Sequence, residues 1–75
     1  MLIYAQDRKS VADAKSLVVQ RNLGGGKDGK YMIVAGLEGL GTVIAGAYPD
    51  EKTAIDALEK AYTAFAEGAK VYKFD

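Results

Sequence analysis

Residues 49–68, with the sequence PDEKTAIDALEKAYTAFAEG, contain the strongest structural signal in the chain. Their apolar residues recur at spacings of three and four, which is the period of one face of an α-helix. Pro49 ends the preceding β-prone run, Asp50 suits the N-cap position, and Gly68 suits a left-handed helix stop. We therefore predict an amphipathic helix from Glu51 to near Gly68, about 25 Å long at ~1.5 Å per residue.

Charged residues occupy the opposite side of this helix. Asp56 and Lys60 stand four residues apart in the acid-before-base order, so we expect them to form an ion pair. A helix with one apolar and one charged face buries only the apolar one. The sequence therefore predicts a helix that packs on another element through a single face.

Short β-prone runs surround the helix, at residues 2–5, 11–12, 16–22, 30–35, 40–48 and 71–74. A polar turn is expected at residues 13–15, and short turns between neighbouring strands favour antiparallel pairing. Gly46, inside the 40–48 run, weakens that strand or marks a β-bulge. We predict one α+β domain, residues 1–75, with an antiparallel sheet of four or five strands, one helix packed on one face, and the order β-β-β-β-α-β.

The composition argues against several classes of site. The 75 residues include no Cys and no His, and ten Lys and Arg balance ten Asp and Glu. Metal ligation and acid–base catalysis therefore lack their commonest residues, and no disulfide framework is available. Zero net charge disfavours nucleic acid as a partner, and no run reaches the ~18 apolar residues of a membrane span. We expect a cytoplasmic, non-enzymatic protein with no cofactor and no bound metal.

The strands carry more apolar residues than one helix can cover. An antiparallel sheet with one wet face alternates apolar and polar residues, yet residues 17–19 are LVV, 31–35 are YMIVA and 43–48 are VIAGAY. Exposed apolar surface of this extent usually marks an interface. We predict that the protein forms a homo-oligomer through a second sheet face that contains Met32, Val34, Ile44 and Tyr48. Two alternatives stay open: a sheet that curls until it buries this face in itself like a small barrel, or a different partner such as a host protein.

Residues 24–30, GGGKDGK, match the spacing of a phosphate-binding loop. Such a loop continues with Ser or Thr and a helix, whereas Tyr31 and a predicted strand follow here. The segment is therefore predicted to be a hairpin loop. Lys27 and Lys30, together with Arg8, are the cations we expect to contact an anion, so the alternative function is the binding or sequestering of a small anionic, nucleotide-like ligand.

Three segments carry a resemblance to a group of small bacterial proteins. They are LIYAQD at residues 2–7, YPDEKTA at 48–54 followed by Ala57-Leu58, and VYKF at 71–74. In these segments the chain resembles small uncharacterised proteins of Gram-positive bacteria and their phages, which begin with an apolar strand and Gln-Asp, carry an Ala-rich helix and end in an aromatic strand. The resemblance implies a phage or prophage origin and a binding role. It implies no particular activity.

Overall fold

A computed structural model describes residues 1–39 and 41–75, and Leu40, the expected first residue of the fourth strand, lies outside the described residues. The elements in chain order are β1 (Leu2–Tyr4), β2 (Val11–Arg21), β3 (Tyr31–Leu37), β4 (Thr42–Tyr48), α1 (Glu51–Ala66) and β5 (Val71–Lys73). The predicted α+β class, the sheet of five strands and the helix packed against it are confirmed.

The five strands form one sheet in the order β4-β3-β2-β1-β5. The pairs β1–β2, β2–β3 and β3–β4 are antiparallel. Strand β5 pairs parallel with β1, so the sheet is mixed rather than wholly antiparallel. The 16 residues of α1 span about 24 Å at ~1.5 Å per residue, which exceeds the ~19 Å that four strand spacings put between β4 and β5 at the two edges of the sheet. The helix is thus long enough to carry the chain from the β4 edge to the free edge of β1.

Strand β2 is one continuous strand of 11 residues, so the turn expected at residues 13–15 was wrong. Its residues 11–13 pair with β1, and from Ala14 onward it pairs with β3. Ala14 pairs with Leu37 and Ser16 with Gly36, which leaves Lys15 as an extra residue in a β-bulge. A bulge bends a strand without ending its ladder, and here it lies where β2 exchanges one partner for the other.

Gln6, which follows β1 closely, closes the curl of the sheet. Its backbone N–H donates to the carbonyl oxygen of Ala45 at 2.7 Å. Its side-chain oxygen accepts from the N–H of Ala47 at 2.8 Å, and its side-chain nitrogen donates to the carbonyl oxygen of Ala47 at 3.2 Å. Two strands separate β1 from β4 in the sheet order, so these bonds require the sheet to curl. The carboxamide of Gln6 takes the place of a peptide group on a neighbouring strand.

The C-terminal residues are bonded to the same turn. Gln6 Nε2 also donates to the carbonyl oxygen of Asp75 at 2.9 Å, and Arg8 Nη1 donates to that of Phe74 at 2.6 Å. Arg8 adopts a left-handed backbone conformation with φ 64°. The turn after β1 therefore joins β4 and the end of the chain.

The ends of α1 follow the predicted signals. The Asp50 carboxylate accepts a hydrogen bond from the N–H of Thr53 at 2.7 Å, and Gly68 has a φ of 94° just beyond the helix. The expected ion pair was wrong: Asp56 has a lysine one turn away on either side, and it pairs with Lys52 at 3.0 Å instead of Lys60. This hydrogen bond to the Asp56 carboxylate raises the pKa of Lys52.

The hydrophobic core lies between α1 and one face of the sheet. Ala54 and Ala61 are the buried residues of the helix, and their small side chains allow a close approach to the strands. The largest fully buried side chains are Phe74, Ile3 and Ile33. Among the described residues, no polar or charged residue is buried, and no helix has the length and apolar character needed to cross a membrane.

We expect the variant Asp50→Ala to melt at a lower temperature than the wild type at neutral pH, because the N–H of Thr53 loses its acceptor. The hydrogen bond from Thr53 lowers the pKa of the Asp50 carboxyl. A lowered pKa stabilises the fold above the unfolded value near ~3.9, and the contribution is lost as the pH falls through the folded value. The melting difference, measured by circular dichroism, should therefore shrink steadily below about pH 4.

The control is Asp28→Ala, which removes an exposed carboxylate from the loop between β2 and β3. It should show no such pH-dependent loss. A melting difference for Asp50→Ala that stays constant from neutral to strongly acidic pH would contradict the capping role of the carboxylate.

Candidate functional site

The sheet face turned away from α1, called here the outer face, carries an apolar row across three strands. Val18 of β2 pairs with Val34 of β3, and Val34 pairs with Ile44 of β4. Alternation of side chains along a strand places the neighbouring rows on the same face. These rows are Gln20, Met32 and Ala47 on one side, and Ser16, Gly36 and Thr42 on the other.

None of these nine residues is charged. Ile44 is 54% exposed and Val18 is 44% exposed, while Met32 and Val34 are half-buried by their neighbours. We call these four residues the outer apolar patch. A solvated antiparallel face normally carries polar residues, whereas the centre of a protein interface is depleted of charge. The outer face has the composition of an interface centre.

Charged groups border this patch on the β1 and β5 side. Asp13 of β2 accepts a hydrogen bond from the amino group of Met1 at 2.9 Å, and this contact lowers the pKa of the Asp13 carboxyl. The guanidinium of Arg8 lies 5.1 Å from the ring centroid of Tyr4. The outer face thus has an uncharged region on β2, β3 and β4 and a mixed, partly charged region beside it.

Tyr48 does not belong to the outer face, and its predicted place there was wrong. Ile33 pairs with Gly46 and Val34 with Ile44, which leaves Ala45 as an extra residue in a β-bulge of β4. One extra residue reverses the alternation of side chains. Ile44 therefore points outward, whereas Tyr48 is only 6% exposed and belongs to the core.

Gly46 provided the sequence signal for this bulge. The ring of Tyr48 lies against it: a Cβ atom at Gly46 would come within 2.5 Å of the Tyr48 hydroxyl oxygen and 2.9 Å of Cζ. The bulge and the missing side chain together make room for the ring on the helix side of the sheet.

The curl of the sheet does not bury the outer face. The barrel alternative predicts that the second face is sheltered by the sheet itself. The core instead lies on the helix side, and Val18 and Ile44 remain about half exposed. Met32, Val34 and Ile44 come together as predicted, with Val18 as the member that sequence reasoning placed in an apolar run but did not select.

The three predicted anion-binding cations do not form one site. Arg8 donates to the backbone oxygens of Ala5 and Phe74 and lies 3.7 Å from the Asp75 carboxylate. Lys27 and Lys30 are exposed in the loop between β2 and β3. Arg8 precedes β2 and the two lysines follow it, so the 11 residues of this strand separate them. Arg8 serves to hold the C-terminal residues.

A second apolar surface lies between α1 and β2. It is a groove of about 630 Å³ lined mainly by Met1, Leu17, Leu58, Tyr62 and Phe65. Glu59 contributes a charged group to its wall. In the described part of the chain, no group of three or more acidic residues is placed to hold a metal ion.

Comparisons of the chain with protein-family models, with curated proteins and with solved structures give no match. The outer face is therefore interpreted from its own geometry.

We expect Gly46→Ala to destabilise the protein by about 1–3 kcal/mol, because the added methyl group must displace the Tyr48 ring from a packed core. Urea denaturation measures the change. In a Tyr48→Leu background the same substitution should cost much less, since the shorter side chain leaves room for the methyl group.

Gly24→Ala is the matched control, because a Cβ atom at that position meets nothing within 4 Å. It should leave the stability nearly unchanged. Equal costs for Gly46→Ala in the two backgrounds would show that the ring contact does not shape the bulge.

Proposed function

We propose that this protein is a non-enzymatic interaction module that self-associates by packing two copies of the outer apolar patch face to face. The observation that carries the proposal is the uncharged row of Val18, Val34 and Ile44, whose two end members are about half exposed. Two sheet faces pack about 10 Å apart when their side chains interdigitate. Such a contact would remove the exposed side chains of Val18 and Ile44 from water.

Association through the face is favoured over association through a sheet edge. Gln6 already occupies the carbonyl oxygen of Ala45 and both backbone polar groups of Ala47 on the β4 edge. The opposite edge, β5, has only three residues. Natural sheets that cover or shorten their edges resist edge-to-edge pairing, which leaves the face as the surface available to a second copy.

The outer apolar patch is also better suited to self-pairing than the groove beside α1. A two-fold contact uses the same surface on both copies, so that surface must be complementary to itself. Side chains that project from two sheet faces can interdigitate, whereas a concave groove needs a convex partner. The charge of Glu59 in the groove wall adds a desolvation cost that the patch does not have.

The size of the patch predicts an association of moderate strength. The uncharged region is three strands wide, at about 4.8 Å between strands, and seven residues long, so it covers roughly 300 Å² per copy. A standard interface buries about 800 Å² per partner. The molecule extends 33 × 26 Å along its two longer axes, so its broad face is larger than the uncharged region. The partly charged region on β1 and β5 would supply the remaining area of the interface. We therefore expect the molecular mass to rise with protein concentration.

The proposal includes a cytoplasmic location and a phage or prophage origin. The absence of cysteine and the resemblance of residues 2–7, 48–54 and 71–74 to small phage-associated proteins support these two points. The alternative of a nucleotide-like anion has less support, because Arg8 is engaged by backbone oxygens and by Asp75.

Ile44→Lys tests the proposed interface, because it places a charge at the centre of the contact. We expect sedimentation velocity to show a concentration-dependent oligomer for the wild type and an 8.0 kDa species for the variant. The comparison is made at a concentration where the wild type is mostly associated. The dissociation constant of the variant should be at least about 30-fold higher than that of the wild type, equivalent to ~2 kcal/mol.

Ile55→Lys is the matched control, since Ile55 is 40% exposed on α1 and lies outside the patch. It should associate as the wild type does, and thermal melts should show both variants folded. A wild-type protein that stays at 8.0 kDa at every concentration, or an Ile44→Lys variant that associates normally, would overturn the proposal.

A further inference from the structure

Strand β2 extends well beyond β1, so part of its edge has no neighbouring strand. β1 pairs with residues 11–13 of β2, and hydrogen bonds between Met1 and Ala14 extend this ladder by one pair. β2 itself continues to Arg21. Beyond Ala14 it has β3 on one side and, among the described residues, no strand on the other. We call the space beside residues 15–21 the open slot.

The ladder between β2 and β3 determines which backbone groups face the open slot. The N–H of Asn22 donates to the carbonyl oxygen of Lys30 at 2.8 Å, so these two residues form a hydrogen-bonded pair. Along an antiparallel ladder, such pairs alternate with pairs whose backbone groups point away from each other. The register from Asn22 backwards therefore directs the N–H and C=O groups of Leu17, Val19 and Arg21 into the slot. Unpaired groups of this kind are a template for a further strand.

The apolar groove between α1 and β2 lies beside the open slot. Its volume is about 630 Å³, and its lining includes Leu17 of β2 and Leu58, Tyr62 and Phe65 of α1. Leu17 belongs to both features, because its backbone faces the slot and its side chain lines the groove. Residues that lie directly opposite each other on paired strands carry their side chains on the same face. A strand in the slot would therefore send the side chain opposite Leu17 into the groove.

These two features together select an extended peptide as the occupant. A helix satisfies its own backbone groups and would leave those of the open slot unpaired. An added strand pairs with them and gains specificity from pockets for alternate side chains. The antiparallel direction, which is that of β1, gives the more stable ladder. Every second residue of the peptide should therefore be apolar.

Charges near the slot favour an acidic residue at the start of the peptide. A strand antiparallel to β2 begins beside Arg21 and runs towards Met1. Residues 21–30 carry three cations, Arg21, Lys27 and Lys30, and one carboxylate, Asp28, so this end of the slot attracts negative charge. Glu59 in the groove wall disfavours acidic residues further along.

A second copy of this chain fits the open slot less well than a peptide does. Its own β2 continues past both ends of residues 15–21, and would bring β1 and the following loop into the same space. Antiparallel pairing of two copies about Val18 would also place Lys15 of each copy opposite Arg21 of the other, and like charges in this position are destabilising. A bulge and charged side chains are the features with which natural sheets keep an edge from pairing with its own copies.

We propose that the open slot of β2 binds an extended peptide segment of another protein, which adds to the sheet as an antiparallel strand. The segment begins with an acidic residue beside Arg21 and directs alternate apolar side chains into the groove. This interaction goes beyond self-association, because it uses the backbone edge of β2 and the groove, whereas the outer apolar patch uses side chains of the opposite face. Peptide binding therefore does not require association.

The test is a titration of the ¹⁵N-labelled protein with a probe peptide of sequence Glu-Thr-Val-Thr-Val-Thr, acetylated and amidated at its ends, followed by nuclear magnetic resonance. We expect saturable shifts of the amide signals of Leu17, Val19 and Arg21. Exchange of these three amides with solvent should be fast in the free protein and slower with the probe bound. The Ile44→Lys variant should bind the probe as the wild type does.

Two methylated probes separate strand addition from non-specific contact. Methylation of the backbone nitrogens of the two valines removes N–H groups that face β2, and should weaken binding at least about tenfold. The same change at the first two threonines affects groups that face away from β2, and should leave binding unchanged. Replacement of the glutamate of the probe by lysine should weaken binding at least about threefold.

Tyr62→Asp tests the groove, because Tyr62 is 73% exposed and its replacement leaves the core intact. It should weaken binding of the probe at least about fivefold, whereas Thr63→Asp, on another side of α1, should have no effect. The proposal is overturned if about 10 mM probe gives no saturable shifts, or if the two methylated probes bind equally well. It is also overturned if raising the concentration of protein alone slows the exchange of the Leu17 and Val19 amides, which would assign the slot to a second copy.

Discussion

The packing of α1 against a single face of the sheet is the interaction on which the other features depend. The helix contacts β2, β3, β4 and β5, and its buried alanines, Ala54 and Ala61, let it lie close to them. Because the helix covers one face only, the apolar residues of the same strands divide into a sheltered set and an exposed set. Ile33 and Ala35 are sheltered, and Val34, between them, faces outward.

The β-bulge at Ala45 determines which residues fall on each side of β4. It turns Ile44 outward and Tyr48 inward, and it lies beside the hydrogen bond from Gln6 to the carbonyl oxygen of Ala45. The same irregularity therefore contributes to the curl of the sheet, to the outer apolar patch and to the place of Tyr48 in the core. Without it, strict alternation would place Tyr48 on the outer face with Ile44.

Local features of the sequence were sufficient to predict the helix, the strands other than the continuous β2, and the class of the fold. Helix α1 has a capping carboxylate at Asp50, a clear apolar period and Gly68 at its end, and each of these acts over a few residues. The parity of β3 likewise placed Met32 and Val34 on one face. The lack of charged residues on that face could also be predicted, because it depends only on the residue types and on the correct pairing of the three strands.

Other features depend on contacts between residues far apart in the chain, and these could not be predicted. Gln6 bonds to Ala47, and Arg8 bonds to the carbonyl of Phe74, although neither polar side chain carries any local sign of its partner. Residues 13–15 were predicted to form a turn because Asp13 and Lys15 are polar, but they lie within β2 at its β-bulge. Tyr48 was placed on the wrong face because one extra residue in β4 shifts the alternation of side chains.

Isotope-filtered nuclear Overhauser measurements on a mixture of methyl-labelled and unlabelled protein test the central claim most directly, because they detect contacts between copies and not within one. If two outer faces pack together, intermolecular signals should join the methyl groups of Val18, Val34 and Ile44 to those of the second copy. Intermolecular signals that arise only from Leu58 and Leu17 of the groove, or none at concentrations where the mass exceeds that of one chain, would contradict the account.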